Sequence, residues 1–298
     1  MIAGRQPVFN DLFSVLHFPM PLTARRHIRK MRGGAQAQLL EASDGRFYIV
    51  KFQNNPQHRR VLVNELVASV FLKYLQISSA EFAVIEVTEE FVRESPGACI
   101  ELGATKIPVA TGWQFGSLYP GDPARVAVYD FVPDSLLHKV RNLADFLGAL
   151  VFDKWVSNAD GRQAVFFRAR VREWVPLAAE AHPLSMGFVA LMIDQGFAFN
   201  GPEWNFMDSP LQGLYTRKLV YEDVTSLDPF EPWLERVTHF PEEVVDQAAK
   251  QVPLEWLTGE QDAFEGMLEK LMHRRKRVPD LIRDARRAKV SPFMNWRD

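Results

Sequence analysis

Two charged residues interrupt apolar segments where charge is costly. Lys51 lies inside the run Tyr-Ile-Val-Lys-Phe, and Glu65 interrupts an apolar helical pattern fourteen residues later. A lysine on an exposed strand edge and a glutamate on a solvated helix face would explain each residue alone. A buried cation, however, needs an anionic partner. A helix glutamate that holds a strand lysine is also the arrangement that binds nucleotide phosphates.

Two aspartates follow apolar segments farther along the chain. Asp160 lies in the polar loop Ser-Asn-Ala-Asp-Gly-Arg-Gln, and Asp194 ends the run Leu-Met-Ile. Both sequences also suit ordinary turns. Carboxylates at strand ends commonly hold metals, so we expect Asp160 and Asp194 to converge on one pocket from two sides of a hairpin. A cation for phosphates, a carboxylate for a metal and an acceptor for a hydroxyl proton are the parts that phosphoryl transfer needs.

A glycine pair precedes the lysine strand. Gly33 and Gly34, followed by Ala35 and Gln36, would allow backbone N–H groups to approach phosphates closely. The segment matches neither GxxxxGK[ST] nor GxGxxG, and an ordinary turn is the alternative interpretation.

The elements that must position these residues follow from hydrophobic periodicity and turn signals. The pattern predicts an α+β fold: a β-rich lobe with one helix over residues 1–125 and an α-rich lobe with a central hairpin over residues 126–298. Strands are expected within 23–53, where the turn Ser43-Asp44-Gly45-Arg46 joins two of them, and within 82–88, 104–120, 164–171 and 187–193. Helices are expected over about 55–77, 138–158 and 230–290, with breaks at Pro253 and Pro279.

Composition excludes several classes of protein. The 298 residues are 47% hydrophobic, which is enough for a large core, and the single cysteine, Cys99, excludes an internal disulfide. The net charge of -2 argues against a global field for nucleic acid. The first residues lack a signal-peptide pattern, and no apolar run approaches the roughly 20 residues that span a bilayer, so we expect a cytoplasmic protein without membrane contact.

Several segments resemble one known family. The chain is similar to the HipA-like kinases, specifically their short single-chain bacterial branch, in stretches spread in order over residues 32–199: RGGAQAQLL, YIVKFQNNPQHRRVLVNELVAS, WQFGSLYP, LVFDKWVSNADGRQAVF and LMIDQGFAF. The resemblance implies the two-lobed kinase fold shared with protein and phosphoinositide kinases. It also implies ATP and Mg²⁺ between the lobes.

The resemblance implies a role for each motif. Lys51 would contact the ATP phosphates with Glu65 as its ion-pair partner, Asp160 would orient or deprotonate the acceptor hydroxyl, and Asp194 would bind Mg²⁺. Arg162 would belong to the catalytic loop. The turn Gly33, Gly34, Ala35 and Gln36 would cover the phosphates, and Gln114, Phe115, Gly116 and Ser117 would connect the lobes and meet adenine.

One position departs from the family pattern. The catalytic loop usually has an asparagine five residues after the aspartate to hold a second Mg²⁺, and this chain has Val165 there. Gln163 and Asn158 are the nearest substitutes as metal ligands, because side-chain carbonyl oxygens also bind hard cations.

Three functions remain open at this point. The first is an ATP-dependent kinase that phosphorylates a serine or threonine of a protein, including its own chain. The second is an ATP-binding pseudokinase that acts as a regulatory or interaction module, which Val165 motivates. The third is nucleic-acid or antitoxin binding through the basic segment 273–289, for which a solvated helix face is the simpler explanation. The sequence does not specify the acceptor or the oligomeric state.

Overall fold

The computed structural model describes residues 20–178 and 181–297 of the chain. The N-terminal residues 1–19, on which the expectation about a signal peptide rests, lie outside the described residues. Within the described ranges, no helix has both the length and the apolar character that crossing a membrane requires.

A closed five-stranded barrel holds the lysine strand. Its strand order is β1-β2-β3-β7-β4, with antiparallel neighbours except for the parallel contact between β1 and β4 that closes it. The side chains of Leu40, Tyr48, Val50 and Ile85 fill its core. Its strands are β1 (Leu22–Lys30), β2 (Gln38–Ala42), β3 (Phe47–Lys51), β4 (Phe82–Val87) and β7 (Gly112–Leu118).

The predicted turn between β2 and β3 is confirmed. Gly45 has a positive φ of 74°, and the Asp44 carboxylate accepts a hydrogen bond from the Arg46 backbone N–H. This is the geometry that an Asp-Gly turn favours. Between β4 and β7 lie a short helix and a small hairpin: α2 (Glu89–Glu94), β5 (Cys99–Leu102) and β6 (Thr105–Pro108).

Helix α1 (Arg60–Tyr74) is buried on nearly all sides. The sequence predicted an apolar stripe, but the buried residues run continuously from Val61 to Leu72. The helix packs against β7 of the barrel on one side and against α7 (Glu242–Lys250) and the turn Leu254–Leu257 on another. A helix enclosed in this way cannot leave a polar side chain without a partner, so Asn64 and Glu65 must both be hydrogen-bonded.

A three-stranded sheet carries the two aspartates at one end. Its order is β10-β9-β8, formed by Met186–Ile193, Gln163–Arg170 and Val128–Tyr129. The antiparallel register places Gln163 opposite Ile193, so the residues that flank the loop and the strand end meet. The hairpin predicted from the two apolar runs is confirmed.

The helix before the polar loop is shorter than predicted. After α3 (Asp134–Leu137), helix α4 spans Asp145–Val156 rather than beginning near residue 138. Residues 138–144 instead lie along the edge of β10, where the Arg141 backbone N–H donates to the Phe188 carbonyl and Asn142 bonds to both backbone groups of Ala190. The free edge of the sheet therefore competes with helix formation for these backbone groups.

The C-terminal third is helical, as expected. Pro253 precedes the turn Leu254–Leu257. Pro279 lies in the first turn of a new helix that begins at Val278, where a proline loses no intrahelical hydrogen bond. The remaining helices are α5 (Val171–Trp174), α6 (Trp233–Thr238), α8 (Gln261–Arg274) and α9 (Val278–Arg287).

Two helical glycines test the packing of this region. A Cβ atom on Gly148 in α4 would lie 2.5 Å from the Trp233 ring, whereas one on Gly266 in α8 would meet no heavy atom within 4 Å. We expect Gly148→Ala to lower the free energy of unfolding by about 1–3 kcal/mol through overpacking. Gly266→Ala should raise it by about 0.5–1 kcal/mol through helix propensity. Urea unfolding measures both, and equal effects of the two substitutions would contradict the packing described here.

Candidate functional site

Lys51 lies at the centre of the candidate site. It ends strand β3 and is 7% exposed, and its Nζ lies 2.5 Å from Glu65 Oε1 and 2.7 Å from Asp194 Oδ1. Three separate elements, the barrel strand β3, helix α1 and the end of β10, deliver these side chains. The structure thus brings together the lysine, the helix glutamate and the strand-end aspartate that the sequence singled out.

The two carboxylates keep Lys51 charged. Burial opposes its charge, but Glu65 and Asp194 outweigh burial and raise the pKa of Lys51 above its ordinary value. For Asp194, burial acts to raise the pKa, but Lys51 and the Gly196 N–H prevail and lower it. Burial raises the pKa of Glu65, against the attraction of Lys51. Lys51 and Asp194 are therefore an ion pair at neutral pH.

The turn after β10 has a tight geometry. Asp194 has a left-handed φ of 58°, and a Cβ atom on Gly196 would lie 2.8 Å from Val61 Cγ1 and 3.4 Å from Lys51 Nζ. Only glycine allows the backbone to pass this close to helix α1 and to the lysine. The side chain of Asp194 remains 36% exposed, so a ligand can reach the carboxylate.

Asn64 is a positioning residue that the sequence reasoning missed. Its Nδ2 donates to the carbonyls of Gly196 (2.8 Å) and Gly201 (2.9 Å), and its Oδ1 accepts from Trp204 Nε1 (2.8 Å). Helix α1 therefore fixes the segment after Asp194 through one side chain and Lys51 through the next. The available signal was an asparagine beside Glu65 inside an otherwise apolar helix.

Asp160 and Asp194 lie on either side of the Gln163 amide. Gln163 Nε2 donates to Asp160 Oδ2 at 3.2 Å and, more weakly, to Asp194 Oδ2 at 3.4 Å. The convergence follows from the β9–β10 register, which sets Gln163 opposite the residue before Asp194. Asp160 Oδ1 accepts from the Gly161 N–H at 2.7 Å.

This group fits a hard divalent cation. In residues 20–178 and 181–297, no cluster of three or more His, Cys, Asp or Glu side chains that could hold a metal is present. Asp194, Asp160 and Gln163 nevertheless supply two carboxylates and one amide, and Mg²⁺ takes such oxygen donors and keeps several waters. A rotation of the Gln163 amide by 180° exchanges its nitrogen and oxygen, so that the oxygen can face a cation.

Arg162 does not face the reacting groups, which corrects the catalytic role expected for it. It is 3% exposed and forms a bidentate pair with Asp153, with Nε at 2.8 Å from Oδ2. The same guanidinium donates to Gln195 Oε1 (2.7 Å) and to the Ile193 carbonyl (3.2 Å). Arg162 thus joins the loop after α4 to the turn around Asp194.

Asn158 is likewise not directed to a metal. It is 1% exposed, its Nδ2 donates to Asp153 Oδ1 at 3.0 Å, and its Oδ1 accepts from the Asp160 backbone N–H at 3.2 Å. Both ends of the amide are used, so of the two proposed substitute ligands only Gln163 reaches the aspartates. Val165 packs against Phe167 and Leu191 in an apolar cluster.

The segment Gln114–Ser117 lies inside the barrel rather than in a connection between lobes. Strand β7 pairs with β3 on one side and β4 on the other. The buried Gln114 amide accepts from the Gln53 N–H and donates to the carbonyls of Ala110 and Thr111. Phe115 is buried, and a side chain on Gly116 would collide with Ile85. The chain leaves the barrel only after Leu118, because the backbone groups before it are used by the sheet.

The glycine pair lies in the turn between β1 and β2. Gly33 has a φ of 119°, and its carbonyl accepts from the Gln36 N–H. The Gln36 side chain bonds to Lys30 and to the backbone of Glu101, and a Cβ on Gly34 would meet Gln57. Ala35 is buried in the same turn.

Four arginines of the basic C-terminal segment form ion pairs with nearby acids. Arg274 and Arg277 both pair with Asp208, Arg283 pairs with Asp280, and Arg287 pairs with Asp284. Paired arginines offer less net charge to a polyanion, which weakens the nucleic-acid hypothesis for this segment.

The fold and the site geometry together indicate a class of protein. A lysine on a barrel strand, held by a helix glutamate and by an aspartate at the end of a hairpin strand, with a second aspartate nearby, is an arrangement that kinases use. Residues 27–166 match the family described as HipA-like kinase, which confirms the resemblance stated from the sequence.

Solved structures with some similarity include two of a Golgi casein kinase. One is 11% identical with a TM-score of 0.48 and covers 95% of this chain and 77% of that one. The other, solved with Mn/ADP bound, is 11% identical with a TM-score of 0.44 and covers 89% and 72%. The search of curated proteins found no significant match.

The Asp153–Arg162 pair allows a test of positioning. Arg162→Leu leaves Asp153 buried without a counter-charge, so we expect the free energy of unfolding to fall by about 3–5 kcal/mol. Arg283→Leu breaks an exposed pair with Asp280 and should cost about 0–1 kcal/mol. Chemical denaturation of both variants measures the difference. A loss at Arg162 as small as that at Arg283 would contradict the buried network.

Lys154 allows a pH-dependent test. Its Nζ donates to the carbonyls of Ser209 and Pro210, and burial lowers its pKa from 10.5 to about 8. Between these two values the unfolded chain binds more protons at this site than the folded chain, so the free energy of unfolding rises with pH. The wild type should gain on the order of 1–3 kcal/mol relative to Lys154→Met between pH 7 and 10. Lys73→Met, at an exposed site, serves as the control for the loss of a lysine. A difference in the free energy of unfolding between the wild type and Lys154→Met that stays constant with pH would contradict the lowered pKa of Lys154.

Proposed function

We propose that this chain is an Mg²⁺-dependent kinase that uses ATP as phosphoryl donor. The observation that carries the proposal is the contact of Lys51 with both Glu65 and Asp194, with Asp160 adjacent through Gln163. The match to HipA-like kinases over residues 27–166 supports it independently. In this proposal residues 1–125 form one lobe, residues 126–298 form the other, and ATP binds between them.

The residues around Lys51 would bind the phosphates. A cation held between two carboxylates has a fixed position, and phosphate oxygens can share its charge when ATP enters. Glu65 is buried and keeps Lys51 in place. Asp194 and Gln163 would hold Mg²⁺, which neutralises phosphate charge when bound. The adenine would lie against the segment after Leu118, where the chain leaves the barrel.

Asp160 would act on the acceptor. One of its oxygens is held by the Gly161 N–H and the other by Gln163, so the carboxylate has a defined orientation while remaining exposed. It can accept the proton of an incoming hydroxyl as that oxygen attacks the γ-phosphorus and the bond to ADP breaks. An exposed carboxylate is accessible to a protein substrate, and we propose a serine or threonine hydroxyl, including one on this chain.

Nucleotide binding without transfer is the second candidate function. Val165 occupies the position where kinases place a metal-binding asparagine, and its side chain is enclosed by apolar neighbours. Gln163 is then the only amide that reaches the aspartates among the sequence-predicted ligands. A chain that binds ATP at Lys51 but lacks a complete metal set would act as a regulatory module.

Asp160→Asn tests the proposal. It removes the proton acceptor but retains the shape of the side chain, so we expect phosphate transfer from γ-labelled ATP to fall by about 10²–10⁴-fold. Binding of ADP, measured as an increase in melting temperature, should persist. Asp262→Asn, on the exposed surface of α8, serves as the matched control and should retain transfer.

The acceptors in this assay are the chain itself and proteins of a cell lysate. Equal labelling by the wild type and Asp160→Asn would overturn the role of Asp160. Magnesium-dependent ATP binding without transfer by the wild type would favour the second candidate function.

A further inference from the structure

A concave surface lies on the β9–β10 hairpin, at the end away from the candidate site. It has a volume of about 610 Å³, and we call it the basic concavity. Its lining includes four basic side chains and two large apolar ones: His138, Lys139, Arg141, Arg168, Met186 and Phe188. No aspartate or glutamate belongs to this lining.

The cations of the basic concavity have no counter-charge in the described part of the chain. Lys139, Arg141 and Arg168 are exposed, and none of them forms an ion pair or a side-chain hydrogen bond with residues 20–178 or 181–297. Arg170, two positions beyond Arg168, pairs instead with Glu173. Three like charges around one concavity repel each other, and a bound anion would relieve that repulsion.

The concavity is formed by the segment 138–141 and the β9–β10 hairpin, and backbone contacts hold the two together. The backbone N–H of Arg141 donates to the Phe188 carbonyl, and Arg168 lies opposite Phe188 in the β9–β10 register. A Cβ atom on Gly187 would lie 2.6 Å from Arg141 Cγ, so the absence of a side chain there makes room for the stem of Arg141. The two arginines are thus held on opposite sides of one residue.

We propose that the basic concavity binds a compact anion that carries several phosphate groups. Its volume lies within the range of small-molecule sites. Arginine guanidinium groups match phosphate oxygens with two parallel hydrogen bonds, and several cations require a multiply charged ligand. The apolar surfaces of Met186 and Phe188 lower the local dielectric, which strengthens these contacts.

This site is separate from the proposed ATP site. Arg168 is five residues beyond Gln163 on β9, a distance of about 17 Å along an extended strand. Loss of either site therefore leaves the other testable, and the proposal does not rest on kinase activity.

Calorimetric titration of the full chain with sodium tripolyphosphate, in buffer without Mg²⁺, tests the proposal. We expect binding by the wild type that weakens as salt increases. Arg141→Gln/Arg168→Gln should weaken it by at least about tenfold, since charged hydrogen bonds contribute this much. Arg93→Gln/Arg125→Gln changes the net charge equally at exposed positions elsewhere and should retain wild-type affinity.

Several results would overturn the proposal. Absence of binding by the wild type would show that the concavity does not bind this anion. Unchanged affinity in Arg141→Gln/Arg168→Gln would show that tripolyphosphate binds elsewhere on the chain. Tighter binding of citrate or of a single-stranded oligonucleotide through the same arginines would contradict a compact phosphate ligand. Should the double variant fail to fold, Gly187→Ala replaces it without a change of charge: weaker binding supports the site and unchanged binding refutes it.

Discussion

The buried contact of Lys51 with Glu65 and Asp194 is the constraint on which the rest of the structure depends. A buried ammonium group needs compensation by carboxylates at short range, and here each carboxylate comes from a different element. Strand β3 must end at the lysine, helix α1 must be enclosed with its glutamate toward the strand, and β10 must stop at Asp194. The glycine at 196 and the asparagine at 64 follow from the same requirement of close approach.

The candidate site contains two sets of polar side chains, one exposed and one buried. Asp160, Gln163 and Asp194 retain access to solvent, whereas Asp153, Asn158 and Arg162 are buried and use their polar atoms on each other and on nearby backbone. Exposed carboxylates exchange ligands readily, while a buried and fully hydrogen-bonded network is rigid. The loop after α4 therefore gains its geometry from buried residues that are paired with each other.

The number of basic residues in a segment does not by itself show whether its surface can bind an anion, because nearby acids pair with some of them. The C-terminal arginines form a dense run in the sequence, but four of them pair with Asp208 or with acids on helix α9. Three of the four basic residues of the basic concavity lie within positions 138–141, and the fourth, Arg168, is brought beside them by the β9–β10 hairpin. Lys139, Arg141 and Arg168 have no ion-pair partner among residues 20–178 and 181–297, and this, rather than their number, makes that surface a candidate site.

The sequence by itself determined the element types and the positions of the charged residues that interrupt apolar segments, because an uncompensated charge and a hydrophobic period are both local signals. It predicted the β2–β3 turn, the β9–β10 hairpin and the candidates Lys51, Glu65, Asp160 and Asp194. Only the tertiary structure decided the roles of Arg162, Asn158 and Gln114, since their hydrogen-bond partners are carbonyls, amides and carboxylates brought together by the fold. The start of α4 was likewise decided by the free edge of β10, which a local pattern does not contain.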